Sequence, residues 1–272
     1  MKATWSTKYF IFTLLYSFGL WMIPMILGLD SVLSYILYAL GGIIPSTIAI
    51  VLLYKTKDKE YVKSFWTRVL NFKLIKNKWY LFIILFIPLT NIAAMLVNYY
   101  IYGIKLDFSN LINYIENPLK LIVLIPYILI FGPIVEELGW RGFALDHLEK
   151  KYEWFISSLI ISLFWALWHI PLFFIEGTYQ YSLLQSSYIY VIDFMVGLLP
   201  CSIIMGYIYY KNNNSILSAI LFHFTINFYG QIFNIPNEIK LYRTVAMFVG
   251  VFIVLIFAKI KNNFWKKCPT SD

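Results

Sequence analysis

Three short strings carry side chains able to move protons and hold charge inside otherwise apolar surroundings. They are EELGWR at 136–141, WALWH at 165–169 and HFTIN at 223–227. They hold Glu136, His169, His223 and Asn227, polar side chains that each need an explanation inside apolar segments. Glu137 and Arg141 are four residues apart, in the acid-before-base order that pairs favourably on a helix. His223 and Asn227 have the same spacing and therefore share a face. If Glu137 pairs with Arg141, Glu136 is left without a counter-charge. Its own four-residue neighbour is Trp140, an apolar wall, a setting that suits a base working near neutral pH. The same residue types allow a second chemistry. Glu136, His169 and His223 form a possible zinc set. No HExxH string accompanies them, and they lie on separate segments.

The surrounding elements must be membrane helices. The chain of 272 residues is 60% hydrophobic and 13% charged, about half the charge of an ordinary soluble domain. The apolar residues are concentrated in long runs. A helix needs about 20 such residues to cross a bilayer, and by that measure eight spans run roughly over 9–29, 32–54, 79–101, 119–138, 154–174, 187–209, 215–233 and 243–260. Hydrocarbon offers the backbone no hydrogen-bond partner, so runs of this length are helical. The expected fold is all-α, a polytopic bundle forming one integral membrane domain over 1–272, without repeats. The run after Lys2 and Lys8 is long and lacks a small-x-small cleavage site, so it reads as an uncleaved first span.

The net charge of +8 follows from topology. Of 22 Lys and Arg, 18 fall in the connections and termini on one side and four, Lys105, Lys120, Lys240 and Arg243, on the other. Basic residues collect on the cytoplasmic side, which predicts cytoplasmic N and C termini in a multi-pass protein of the cell membrane. The charge is thereby used up without nucleic acid as a partner. The 55–78 connection mixes aromatic and basic residues and reads either as a segment lying on lipid headgroups or as a solvated connector. Cys201 lies within a span and Cys268 in the tail, and neither sits in a nucleophile motif. Cys268 is fifth from the end, whereas a prenylation signal needs its cysteine fourth.

Helical rise puts the reactive strings at one level. With the fourth helix continuing to about Lys150, Glu136 lies about 20 Å from its end. His169 lies about 22 Å along the fifth span, and His223 and Asn227 about 14 and 20 Å along the seventh. Ionisable groups at such depth are costly and mark function or pairing.

Together and in this order, the three strings resemble the motifs of the CPBP/Abi family of intramembrane proteases: EExxxR, an aromatic followed four residues later by histidine, and HxxxN. The best-known members of that family are the type II CAAX prenyl endopeptidases, or Ras-converting enzymes. The spacing is similar to that of an archaeal member. The resemblance covers about 119–233, with Trp165 where the second motif often has phenylalanine. It implies a glutamate-type peptidase without a metal cofactor, zinc being the alternative. Glu136 and His169 would activate a water, and His223 and Asn227 would stabilise the oxyanion. Glu137, Arg141, Trp140 and Trp165 would support the site. The implied partner is a prenylated CAAX-type peptide or protein, reached from the cytoplasmic side with its lipid in the membrane and cut after the prenylated cysteine.

Other readings remain open at this point. The same family includes bacteriocin-immunity and scaffold proteins. A transporter also places polar groups at depth, although here they cluster at one level and no inverted repeat is evident. His169 and His223 could be interhelical hydrogen-bond partners. Asn91 is expected to bond a neighbouring helix, Asp193 has no evident partner, and Gly41, Gly42 and Gly197 read as helix contacts.

Overall fold

A computed structural model describes residues 4–105 and 107–260. Cys268, discussed above, lies outside the described residues. Among the described residues the regular structure is helical throughout, and eight helices are long and apolar enough to cross a membrane.

The first two spans, α1 (Trp5–Leu27) and α2 (Val32–Thr56), form a hairpin. Side chains of Thr4 and Ser31 cap their first turns by accepting from the backbone at Thr7 and Ser34. Gly41 lets the two helices approach, because the indole of Trp21 occupies the space a side chain would need there. Trp21 Nε1 donates to the Tyr38 carbonyl at 2.9 Å, and Ser17 Oγ to the Gly41 carbonyl at 2.9 Å. The 55–78 connection contains a short helix, α3 (Lys59–Leu70), whose Phe65 and Arg68 are buried. The third span is α4 (Asn77–Tyr102), closed by Gly103 at φ 69°. The short α5 (Ser109–Glu116) leads to the fourth span.

That fourth span, Leu119–Leu148, is one long helix with two irregularities. It runs as α6 (Leu119–Leu129), a π-helical turn at Ile130–Ile134, α7 (Val135–Gly139), a second π-helical turn at Trp140–Leu145, and α8 (Asp146–Leu148). Pro133 lies inside the first π turn, and Phe131 departs from helical angles there. A proline lacks the N–H and crowds the preceding turn, so the helix loosens there. Ser46 of α2 donates to the carbonyls of Ile134 and Val135 at 3.3 and 2.5 Å, meeting carbonyls beside the break.

The fifth span is α9 (Trp154–His169) continued by a 3₁₀ turn, Ile170–Phe174. After α10 (Tyr179–Ser186) come α11 (Tyr188–Lys211), α12 (Ile216–Phe233) and α13 (Asn237–Ile260).

Polar contacts tie the helix ends into two faces. At the basic face, Arg68 meets Asp146 at 3.0 Å and the Tyr209 hydroxyl at 2.7 Å, and Tyr61 also bonds Asp146. The Lys76 backbone donates to Asn212 at 3.2 Å on the same face. At the opposite face Asn110 donates to the Gln231 carbonyl at 2.7 Å, and the Tyr102 and Tyr242 hydroxyls are 2.9 Å apart.

Candidate active site

Each element delivers its polar residue to the middle of the bundle. The fourth span supplies Glu136 and Glu137 on α7, between the two π turns. The last residue of α9 is His169, and α12 carries His223 and Asn227. Glu136, His169, His223 and Asn227 all line one cavity of about 610 Å³, as does Trp165. The three strings that the sequence placed at one depth therefore meet. All four line this cavity, with Glu136, His169 and His223 buried and Asn227 exposed.

Glu136 is buried and accepts a hydrogen bond from Trp165 Nε1 at 2.6 Å. Among the described residues no cation lies within ion-pair distance of it. His169 is buried, with Nδ1 2.7 Å from the Trp165 carbonyl. A carbonyl can only accept, so Nδ1 carries the hydrogen and Nε2 of the neutral ring is left as an acceptor. Trp165 thus fixes both candidate bases, one through its indole and one through its backbone.

Glu137 turns the other way and is fully buried. Arg141 grips both of its oxygens, at 3.0 and 2.8 Å. Its Oε1 also meets His223 Nδ1 at 2.8 Å. Arg141 continues outward to Ser202 Oγ at 3.2 Å, which donates to the Ser158 carbonyl at 2.9 Å. The guanidinium lies over the Trp165 ring, 4.9 Å from its centre. Glu137 therefore links Arg141 to His223, which the four-residue pairing argument alone did not foresee. With Nδ1–H donated to a carboxylate, His223 presents Nε2 to the cavity side of its ring.

Trp140 differs from the expectation. It does not line the cavity as a wall beside Glu136. Its ring packs against Tyr9 at 5.5 Å and Phe10 at 6.3 Å, and against Trp168 at 6.2 Å. The aromatic face of α1 draws it in, and Trp165 takes the place beside Glu136. Trp140 reaches the cavity only through Trp168, whose own Nε1 is held by Ser17 Oγ at 2.8 Å.

Two other expectations about polar residues can be compared with the structure. Asn91 is fully buried, yet neither amide atom has a hydrogen-bond partner, so it does not bond a neighbouring helix. Asp193 does have polar neighbours: it lines a small cleft together with Thr244, Lys240 and Arg243. Gly41 is a helix contact as expected, and Gly197 lies against Thr244. Gly42 instead lines the cavity.

The residues that sequence reasoning passed over were Ser46, Ser158 and Ser202. A small hydroxyl inside an apolar span can bond its own preceding turn, so it signals little by itself. Lys240 and Arg243, counted only for topology, also line the cavity. As for metals, no group of three His, Cys, Asp or Glu among the described residues is arranged to hold an ion.

The cavity has a direction. Its lining residues come from the half of each span nearest the face where Asn110 meets Gln231, and include Tyr35 and Tyr38, Tyr179 and Gln180, and Asn234. That face carries few Lys and Arg. A bundle with cytoplasmic termini therefore turns the open half of the cavity away from the cytoplasm, and cytoplasmic access at this mouth requires the termini to lie outside. The expectations of cytoplasmic termini and of a site reached from the cytoplasm thus pull in opposite directions. A sideways route serves either orientation. The cavity is also lined by Tyr35 and Tyr38 of α2 and by Tyr127 and Phe131 of the fourth span. Tyr35, Tyr127 and Phe131 are 54%, 54% and 59% exposed. These side chains mark an exposed edge between α2 and the fourth span.

Comparison with known proteins identifies the family. Residues 118–229, which contain all three strings, match the family model described as type II CAAX prenyl endopeptidase Rce1-like. Over 256 residues the chain is 32% identical to CAAX prenyl protease 2 of Methanococcus maripaludis, covering 92% of this chain and 93% of that protein. The chain belongs to the type II CAAX prenyl endopeptidase family. It is a multi-pass membrane member, and the matched segment runs from the start of the fourth span to near the end of α12.

Proposed function

We propose that the chain is an intramembrane endopeptidase that cleaves prenylated CAAX-type protein ends after the prenylated cysteine. The observation that carries this reading is the meeting of Glu136, His169, His223 and Asn227 on one cavity, with Glu137 committed to Arg141 and His223.

The cavity lining and the contacts of Glu136, His169 and His223 support the following scheme. Water between the Glu136 carboxylate and His169 Nε2 gives a hydrogen bond to each and keeps a lone pair for attack. Oxygen attacks the carbonyl of the prenylated cysteine as Glu136 takes the proton. Asn227 Nδ2 donates to the resulting oxyanion, joined by His223 Nε2 in its doubly protonated form. Donors fixed before the reaction cost no reorganisation in a water-poor site. Collapse of the tetrahedral species breaks the C–N bond, and Glu136 returns the proton to the departing amine. The products are a prenylated cysteine carboxylate and a tripeptide. Glu137 aims His223 and is itself held by Arg141, so neither needs to touch the substrate.

The lipid of the substrate would lie along the edge formed by Tyr35, Tyr127 and Phe131, with the peptide in the cavity. No metal takes part in this scheme.

A farnesylated peptide incubated with the purified protein in detergent is expected to lose its last three residues, as read by product mass. Activity is expected to survive a chelator. Loss of activity on chelation, restored by zinc, would replace the metal-free scheme with a metallopeptidase. Absence of any cleavage by the folded wild type would defeat the reading itself.

A further inference from the structure

Three charged side chains other than histidine line the cavity: Glu136 at the candidate catalytic centre, and Lys240 and Arg243 from the first turns of α13. The rest of the wall is aromatic, aliphatic or neutral and polar. Two cations beside a reaction chamber need explaining, since buried charge is costly unless it is paired. Lys240 Nζ is held at 3.0 Å by the Tyr179 hydroxyl and at 3.0 Å by Asn237 Oδ1, both neutral. Arg243 has no ion pair within range among the described residues, and its Nε is buried without a hydrogen-bond partner. The nearby carboxylate, Asp193, shares a smaller adjoining cleft with both cations and does not line the main cavity. Glu238 is engaged by the Tyr190 hydroxyl at 2.7 Å. The two cations outnumber the acid beside them, and one keeps a donor unused.

A relay of ring contacts links Lys240 to the centre. Phe194 stacks edge-on 5.2 Å from the His169 ring and 6.2 Å from the Tyr179 ring, and Lys240 Nζ sits 4.9 Å from the Tyr179 ring. A three-residue peptide spans about 10 Å when extended. A peptide whose scissile carbonyl lies at Glu136 and His169 can place its terminus beside Lys240 and Arg243.

We propose that Lys240 and Arg243 bind the free C-terminal carboxylate of the substrate, so that the enzyme measures three residues from the cut to the chain end. This rests on the peptidase reading above. Arg243 supplies paired donors in a fork that matches a carboxylate, and Lys240 adds a point charge. A longer chain or a blocked end would leave the cations unpaired and the carbonyl out of register.

The test compares a farnesylated peptide ending in a free carboxylate with the same peptide amidated, for wild type, Arg243→Gln, Lys240→Gln and Arg243→Lys. Charge-assisted hydrogen bonds of this kind give about a tenfold or larger preference in kcat/KM for the acid. That preference is expected to appear in KM. It is expected to fall close to one in Arg243→Gln, to weaken in Lys240→Gln and to persist in part in Arg243→Lys. Size-exclusion profiles and thermal midpoints exclude unfolded variants from the comparison. Equal cleavage of acid and amide by wild type would overturn the carboxylate site while leaving the peptidase reading intact. No cleavage of either peptide by wild type would remove both. Retained preference in Arg243→Gln, together with lost binding of phosphatidylglycerol, would assign the cations to a lipid headgroup and overturn the proposal.

Discussion

At the residue scale, two adjacent glutamates have opposite surroundings. Glu136 meets the cavity and a single indole N–H, whereas Glu137 meets a guanidinium and an imidazole and no open space. Substitutions should therefore separate them. Breaking a buried pair by removing one partner leaves an uncompensated charge, which costs about 3–5 kcal/mol. Arg141→Ala is expected to lower the thermal midpoint in detergent as well as activity, because Glu137 loses its grip and His223 its orientation. An unchanged midpoint would mean that the pair contributes nothing to the fold. Asn227 is expected to behave differently. Its amide faces the cavity and its loss leaves no buried charge, so Asn227→Ala should keep the midpoint. An oxyanion donor of this kind contributes about 100-fold or more to kcat, and steady-state kinetics on the farnesylated peptide would read that loss.

At the element scale, the fourth span is the unusual part. Its two π turns flank α7, and π turns of this kind are often found where a helix aims functional side chains. Gly139 fixes this helix against its neighbours, since a side chain there would run into the Tyr9 hydroxyl and the Pro45 carbonyl. Gly139→Ala is expected to push the fourth span from α1 and α2 and to lower kcat and thermal midpoint together. Full activity with a normal midpoint would show that the close approach is dispensable. The sequence showed the positions of Glu136, His169, His223 and Asn227 well, because depth follows from a constant rise per residue and their separate helices end near clear charged boundaries. It showed the four-residue pairs equally well, since both fall on regular or nearly regular turns. The second π turn was not legible. Neither was the turning of Trp140 toward Tyr9 and Phe10, which depends on what a distant helix offers. The role of Trp165, bonding Glu136 by its indole and His169 by its carbonyl, also depends on a three-dimensional meeting that spacing alone does not encode.

At the scale of the whole molecule, eight spans enclose a chamber whose open half lies toward the sparsely basic face. Cytoplasmic termini, as the positive-inside bias predicts, would turn the mouth outward. Orientation is measurable with single cysteines in a background where Cys201 and Cys268 are serine. Gln180→Cys marks the cavity mouth and Lys73→Cys the basic face. With intact cells and a membrane-impermeant thiol reagent, cytoplasmic termini predict labelling at Gln180→Cys and protection at Lys73→Cys. The reverse pattern would place the mouth in the cytoplasm and break the charge rule for this chain. Either result leaves the exposed edge at Tyr35, Tyr127 and Phe131, along which the proposed prenyl chain would lie. All of this matters only if the chamber holds a reacting water, and that is tested at one atom pair. The decisive measurement is kcat/KM for a farnesylated CAAX peptide with Glu136→Gln, which keeps the size and the Trp165 contact but removes the base. A fall of about 10²–10⁴-fold in a variant that remains folded is the predicted result, in line with loss of a general base. A value within tenfold of wild type would contradict the account.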